Sequence, residues 1–185
     1  CDSKAFFFTG NQIGALLADF LSRQGSVKGK IMVTTVVTGD LGSRIVTSRG
    51  ATVIHTLTGS KFVCEEMNHM EAGEFLLGYE ESHGYIGGMH IRDKDGVLAA
   101  MLLCETAAWH KTQGKTLLDA LEDLYQEYGY YIDEQDSFVF EGAKGAKEMQ
   151  KIMARLRSRR GSVFAPLGKP DKMLDYEKGV DELPR

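Results

Sequence analysis

The sequence predicts an α/β layer sandwich, and three observations support that prediction. Segments with apolar residues at helical spacing alternate with short β-branched runs, as in layered α/β domains. The 185 residues suffice for one domain, or for one domain and part of another. Hydrophobic residues make up 43% of the chain and charged residues 26%, which is close to the globular norm.

The first predicted elements follow one another directly. Apolar residues at helical spacing predict a helix over residues 13–21, with the Thr9 hydroxyl as its cap. The β-branched runs 31–38 and 51–57 predict two strands with a short helix between them. A helix, a strand and a second extended segment are then predicted over residues 61–70, 74–79 and 84–92.

Two further helices complete the predicted domain. Residues 97–110 are apolar almost all round, which predicts a buried helix, and Asp95 precedes it as a cap. A clear apolar stripe predicts another helix over residues 117–128. Cys64 and Cys104 fall within predicted helices, so we expect both to be core thiols.

The chain changes character near residue 137. An apolar helix face over residues 146–156 precedes a weakly periodic tail that contains all three prolines. We therefore predict one domain over residues 1–137 and the incomplete beginning of another over residues 138–185. The tail has too few apolar residues to close its own core, so we expect it to be mobile or to self-associate. Because the chain begins with Cys, we expect a fragment of a longer protein.

Composition argues against several classes of function. Lys and Arg number 22 and Asp and Glu 26, a net charge of −4 that does not suit a general nucleic-acid binder. The longest apolar run, residues 97–104, is far shorter than the roughly 20 residues of a membrane span. Three cysteines without paired spacing indicate neither a disulfide framework nor a zinc site. We expect a soluble cytoplasmic protein that binds neither nucleic acid nor membranes.

The loop Gly78–Tyr85 is the most specific candidate site. Glu80, Glu81, Ser82 and His83 place two carboxylates, a hydroxyl and an imidazole in a turn between two extended runs. Such groups hydrogen-bond in fixed directions, which suits a polyhydroxylated ligand such as a sugar. Because the turn lies outside every apolar stripe, we expect Glu80 and Ser82 to serve substrate positioning and not folding. An exposed acidic hairpin without a ligand remains the structural alternative.

A second candidate is the turn from Thr58 to Lys61 between a predicted strand and a predicted helix. Backbone N–H groups at a helix N-terminus, with a lysine beside them, favour an anion such as phosphate. Turns of this kind are rich in Gly and Ser without any ligand, so the signal is weak.

Other polar segments have structural explanations. The spacing around Asp93 and Asp95 does not fit a calcium loop, and Asp95 is better explained as a helix cap. The basic residues of segment 144–160 alternate with an apolar stripe, as on a solvated helix face. The sequence contains none of the motifs GxxxxGK[ST], GxGxxG, HExxH or GxSxG, and no self-sufficient active site is visible.

Five segments resemble, in order and spacing, the third domain of the α-D-phosphohexomutases, and especially of the bacterial phosphoglucomutases. They are Thr9–Gly14, Thr56–Lys61, Gly78–Tyr85, Arg92–Gly96 and Gln113–Leu117. The resemblance covers roughly residues 6–132, and residues 138–156 look like the opening of the family's fourth domain. It implies a three-layer α/β/α sandwich with a mixed four-stranded sheet, plus a partial α+β C-terminal segment.

The resemblance implies an enzyme of four domains that interconverts glucose 1-phosphate and glucose 6-phosphate through a phosphoserine. The serine and a Mg²⁺ loop would lie in preceding domains, so we expect this fragment alone to be inactive. Glucose 1,6-bisphosphate is the implied activator and intermediate, and the implied partners are a hexose phosphate and the other domains. A phosphomannomutase of the same family and a stand-alone, non-catalytic sugar-phosphate-binding module are the alternatives.

Motif by motif, the resemblance also assigns substrate-binding positions. Glu80 and Ser82 stand in the place of the family's sugar-contacting pair, and Lys61 lies in its TG-x-K loop near the reacting phosphate. The other substrate-binding positions that the resemblance assigns are Glu81, His83, Thr58 and Gly59, which lie next to these residues. The resemblance places neither the catalytic serine nor a metal ligand within this chain.

Overall fold

One four-stranded sheet forms the middle layer of the computed structural model, which describes residues 5–71, 73–133, 138–159 and 174–176. Its strands are β1 (Ile31–Thr35), β2 (Thr52–Thr56), β3 (Phe75–Glu80) and β4 (Gly84–Ile86). They lie in the order β2-β1-β3-β4. The central strand β1 is parallel to β2 and β3, whereas β3 and β4 form an antiparallel hairpin. The predicted mixed four-stranded sheet is confirmed.

The last strand is shorter than predicted. It ends at Ile86, whereas the sequence suggested an extended segment to residue 92. Gly87 and Gly88 follow directly, and glycine weakens a strand because it has no side chain to pack. A Cβ at Gly87 would lie 2.7 Å from a Leu102 methyl carbon, so the backbone approaches a helix closely at this point.

The first five helices lie in the segments that the sequence predicts to be helical, although the first begins at Gly10 and not at residue 13. In order they are α1 (Gly10–Arg23), α2 (Leu41–Ser48), α3 (Ser60–Met67), α4 (Gly96–Thr112) and α5 (Leu117–Tyr128). Thr9 and Thr116 form capping boxes at α1 and α5, and the Asp95 carboxylate accepts two backbone N–H bonds at α4. Each cap satisfies N–H groups that the first helical turn leaves unpaired.

Helices cover both faces of the sheet. Successive strand residues point to opposite sides, so each face presents apolar side chains against which helices pack. Met32 and Leu77 pack beneath α1 and α2, whereas Val33 and Ile86 pack with Val63 of α3. A second layer of packing joins α1, α2 and α5 through Ala15, Leu16, Leu41, Ile45, Leu121 and Leu124, all of them buried. The predicted three-layer α/β/α architecture is thus confirmed.

Helix α4 is not the buried helix that its composition predicts. Only two of its 17 residues are buried, and Val97 and Met101 are 74% and 56% exposed. One face packs toward α1, α5 and β4 through Ala99, Leu102 and Leu103, while the other face is exposed. The prediction of two core thiols is wrong for a related reason: Cys104 is exposed on α4, and Cys64 on α3 is only half-buried.

The chain divides into two compact units, Cys1–Asp133 and Glu134–Arg185. The second unit contains α6 (Gly142–Arg159), which includes the predicted apolar face of residues 146–156. None of the described α6 side chains is buried. The predicted fourth-domain origin of residues 138–185 stays a prediction, and much of that tail, residues 160–173 and 177–185, lies outside the described residues.

Candidate functional site

The predicted site residues gather at one edge of the sheet. Because β1, β2 and β3 are parallel, their carboxyl ends meet there, and ligands of open α/β sheets bind at this edge. Strand β2 leads into the turn that contains Thr58 and Gly59, and β3 ends at Glu80. The fold therefore brings together two segments that the sequence singled out separately.

Glu80 is the central residue of this edge, and its environment differs from the prediction. It does not lie in an exposed turn but closes β3, where it is only 6% exposed. The Gly59 backbone N–H donates to its Oε1 at 2.9 Å, and the Lys94 ammonium lies 2.6 Å from its Oε2. A buried carboxylate needs such partners, because an unpaired charge away from water is costly. Glu80 thus joins three loops.

Lys94 is a site residue to which the sequence assigned no role. It stands in the Arg92–Gly96 motif, but the alternating charges of that motif do not show which one faces the sheet edge. Its side chain is 43% exposed, so the ammonium reaches both Glu80 and solvent. Its methylene arm lies over Gly84, where a Cβ would come 2.6 Å from Lys94 Cε. Gly84 is therefore needed to let Lys94 reach Glu80.

The turn Glu81–His83 connects β3 to β4. Ser82 and His83 are exposed and Glu81 is half-buried, with the Thr38 hydroxyl 3.4 Å from its Oε2. His83 adopts φ = 62°, a left-handed conformation that is uncommon outside glycine and recurs at functional sites. The hydroxyl of Ser82 and the imidazole of His83 thus face solvent beside the buried Glu80.

Helix α1 holds this turn from behind. A Cβ at Gly10 would overlap the carbonyl oxygen of Glu81, so the turn rests directly on the first residue of α1. The Tyr85 hydroxyl donates to the Gly10 carbonyl at 3.0 Å, and burial raises the pKa of this phenol, which keeps it a donor. The Thr9–Gly14 motif therefore supports the turn, whereas the sequence assigned it no role beyond the helix cap at Thr9.

The turn from Thr58 to Lys61 contributes to the site mainly through its backbone and less through its side chains. Gly59, with φ = 123°, caps α3 and directs its N–H at Glu80. The Lys61 ammonium lies 4.7 Å from the centre of the Phe62 ring, so Lys94 and not Lys61 is the cation at Glu80. Lys61 is exposed, with its charge available to solvent.

The groups at this edge define what it can bind. A carboxylate, a second acidic side chain, a hydroxyl and an imidazole can hold several hydroxyl groups, and two lysines can hold an anion. Within the described residues, no three His, Cys, Asp or Glu side chains are arranged to bind a metal ion. Nor does any described helix have the length and apolar character needed to cross a membrane.

The fold and this edge define the class of protein: an α/β/α domain with a group of polar and charged side chains at the carboxyl ends of its strands. A family model described as phosphoglucomutase/phosphomannomutase, alpha/beta/alpha domain III, matches residues 9–128. The match covers most of the chain. The chain belongs to the phosphoglucomutase/phosphomannomutase family.

Individual relatives agree with this assignment. The phosphoglucomutase of Staphylococcus haemolyticus strain JCSC1435 is 34% identical over 178 residues, which are 95% of this chain and 32% of that protein. The phosphoglucomutase of Staphylococcus aureus strain RF122 is 34% identical over 162 residues, 85% of this chain and 29% of that protein. The chain therefore spans about a third of the length of these relatives.

A solved structure gives the same fold. The open form of parafusin, an exocytosis-sensitive phosphoprotein and phosphoglucomutase from Paramecium, superposes with a TM-score of 0.67. The match covers 96% of this chain and 30% of that one at 23% sequence identity. At this identity the likeness supports the fold alone.

Proposed function

We propose that this chain is the sugar-binding part of a phosphoglucomutase that interconverts glucose 1-phosphate and glucose 6-phosphate. The observation that supports the proposal best is the buried Glu80, held by Gly59 and Lys94 beside the exposed Ser82. The family and the phosphoglucomutases among its relatives support the same reaction.

Glu80 and Ser82 hold the hexose hydroxyls in this proposal. Each carboxylate oxygen has more than one lone pair, so Glu80 can accept from a sugar hydroxyl while it keeps its bond to Gly59. Ser82 can donate and accept, which suits a ring hydroxyl. Glu81 and His83 belong to the same turn as Ser82 and limit which sugar hydroxyls reach it.

The cations at this edge serve the charged part of the substrate. Lys61 is exposed at the start of α3, where the backbone N–H groups also favour an anion. Lys94 shares the edge and is already fixed by Glu80. We assign to Lys61 the role of attracting the phosphate that reacts, with Thr58 and Gly59 shaping the turn beneath it.

The remaining chemistry belongs to other parts of the longer protein. Phosphoryl transfer depends on positioning and charge stabilisation, and the phosphoserine and Mg²⁺ of the proposed reaction would be supplied by other domains. When bound, Mg²⁺ would stabilise charge on the transferred phosphoryl group. The described acidic residues do not form a metal site that fits it. Glucose 1,6-bisphosphate is the proposed intermediate, and the 185-residue chain alone should show no mutase activity.

Ligand titration of the 185-residue chain tests the binding part of the proposal. We expect glucose 6-phosphate to shift the amide resonances of residues 58–61 and 80–84 saturably, with millimolar affinity. Glu80→Gln should weaken binding at least about 10-fold, because it removes a charge-assisted hydrogen bond. Glu105→Gln, which changes an exposed glutamate on α4, is the matched control and should bind normally. Equal binding by both variants would exclude Glu80 as the sugar-binding group.

The family model also covers phosphomannomutases, so mannose is the alternative hexose. Parallel titrations with mannose 6-phosphate and glucose 6-phosphate distinguish the two, since the sugars differ in the configuration of one hydroxyl. Tighter binding of the mannose compound would favour the alternative. We further propose a cytoplasmic location, because an exposed thiol such as Cys104 persists in a reducing compartment.

A further inference from the structure

The C-terminal end of α4 meets α1 at a cluster of rings and charges. The Trp109 ring packs edge-on against Phe20, with 6.0 Å between their centres, and the Arg23 guanidinium lies 5.8 Å from the centre of the Trp109 ring. The His110 imidazole lies edge-on to Trp109, with 4.6 Å between the ring centres. This cluster, which we call the α4 junction, joins α4 to α1.

His110 is the unusual member of the α4 junction. It is only 6% exposed, and neither ring nitrogen has a hydrogen-bond partner among the described residues. Buried polar groups are nearly always paired, so an unpaired imidazole calls for an explanation. A neutral imidazole tolerates this position far better than an imidazolium, because burial without a partner penalises a charge most.

The charges that face His110 do not offer it a counter-ion. On α1, the buried Asp19 already accepts from Arg23 at 2.9 and 3.0 Å and also pairs with Arg49. On the other side, Asp123 of α5 pairs with Lys115. Both nearby carboxylates are therefore engaged by other cations.

The balance of these effects favours the neutral ring. Burial lowers the pKa of His110, Asp19 and Asp123 oppose that shift, and Arg23 and Lys115 add to it. Protonation would thus place a further positive charge among arginine and lysine side chains in a site that excludes water.

We propose that His110 is a proton-sensitive latch that docks the C-terminal end of α4 when neutral and releases it when protonated. Helix α4 can be released in this way because few of its residues are buried: only Thr106 and His110 of 17. Segments with few buried contacts open locally at lower cost than the core. This property is independent of the sugar-binding function proposed above.

The pH range follows from linkage. An imidazole that leaves the junction regains an ordinary pKa of about 6.5, whereas the docked ring stays neutral to lower pH. The released state therefore binds more protons, so docking is fully stable above pH ~6.5 and weakens as the pH falls below it. At pH ~5.5 the equilibrium should have moved toward release by up to about 10-fold.

Trp109 makes the latch directly observable, because it is the single tryptophan of the chain. We expect its emission to shift to longer wavelength between pH ~7 and ~5 as the ring enters water. Amide exchange in the 185-residue chain, corrected for the intrinsic effect of pH, should quicken up to about 10-fold over residues 104–112. Exchange over the central strand, residues 31–35, should stay unchanged.

Two variants decide whether His110 is responsible. His110→Gln cannot take up a proton and should lose the emission step, whereas His55→Gln, a change at an exposed histidine of β2, should keep it. A step that persists in His110→Gln would overturn the proposal. If that variant does not fold, the imidazole resonances of the unmodified chain decide: titration of His110 at pH ~6.5 or above, without an emission step, would equally overturn it.

Discussion

Glu80 both ends a strand and precedes the turn to which we assign sugar binding, so its carboxylate would serve the folded state as well as a ligand. Its bonds to Gly59 and Lys94 connect segments that follow β2, β3 and β4. We expect changes at Glu80 to affect stability because they remove these contacts, whereas changes at its exposed neighbours Ser82 and His83 should affect it less. The contacts of Glu80 therefore argue for a structural role beside the binding role that the sequence predicts, and the binding role stays a prediction.

Glu80→Gln should destabilise the chain by about 1 kcal/mol, because it leaves the Lys94 ammonium without its counter-charge while that ammonium stays partly solvated. Urea denaturation of Glu80→Gln, Lys94→Met and the double variant measures the coupling between the two side chains. We expect the double variant to be less destabilised than the sum of the single variants. Strict additivity would mean that the ion pair contributes nothing in solution.

The two described cysteines should differ in reactivity. Cys104 is exposed on α4, whereas Cys64 is half-buried and burial raises the pKa of its thiol. Since the thiolate is the reactive form, we expect an uncharged alkylating reagent at neutral pH to modify Cys104 at least several-fold faster. Peptide mapping after timed labelling measures both rates. Cys104→Ser should leave the Cys64 rate unchanged, and faster labelling of Cys64 in the unmodified chain would contradict the exposure of α4.

At the scale of the elements, local patterns predicted most of the fold. Helical spacing and caps such as Thr9 and Asp95 located the helices, because these signals lie within a few neighbouring residues. The burial of α4 was predicted wrongly. The apolar composition of a helix indicates which side chains could be buried, but it does not indicate how many other elements pack around the helix. Lys94 was missed for a similar reason, since it lies in a loop and its partner Glu80 lies in a different element, β3. The five motifs located the site edge but not its internal contacts.

Substitution of Gly10, the first residue of α1, tests whether that helix supports the turn that contains Glu81. Gly10→Ala should destabilise the chain by about 1–3 kcal/mol, because its methyl group would overlap the Glu81 carbonyl. Gly96→Ala, at the same position of α4, would place its methyl group in open space and should be neutral or slightly stabilising. Thermal unfolding measures both.

Amide resonances extend the Gly10 test to the site. We expect Gly10→Ala to displace the resonances of residues 81–85, whereas Gly96→Ala should leave them in place. A Gly10→Ala variant with normal stability and an unchanged turn would show that α1 does not fix the site.

For the whole molecule, the division into two units has a direct experimental consequence. The unit Cys1–Asp133 has its own sheet and three packed clusters, whereas the described side chains of α6 are all at least partly exposed. Brief proteolysis should therefore cut between about residues 133 and 145 and leave the first unit folded. Mass spectrometry identifies the cuts, and circular dichroism reports the fold. Amide protection in α6 equal to that of β1 would instead indicate one cooperative unit.

The contacts of Glu80 also bear on when the proposed binding site forms as the chain folds. Gly59 and Glu80 are 21 residues apart in sequence, and neither can meet the other until β2 and β3 have both joined β1. Contacts that close long loops across a parallel sheet form slowly, so we infer that this edge is completed after the folding transition state. Changes at Glu80 should then speed unfolding while leaving the folding rate nearly unchanged. Loss of the Glu80 contacts would therefore shorten the lifetime of the folded chain more than it would slow its folding.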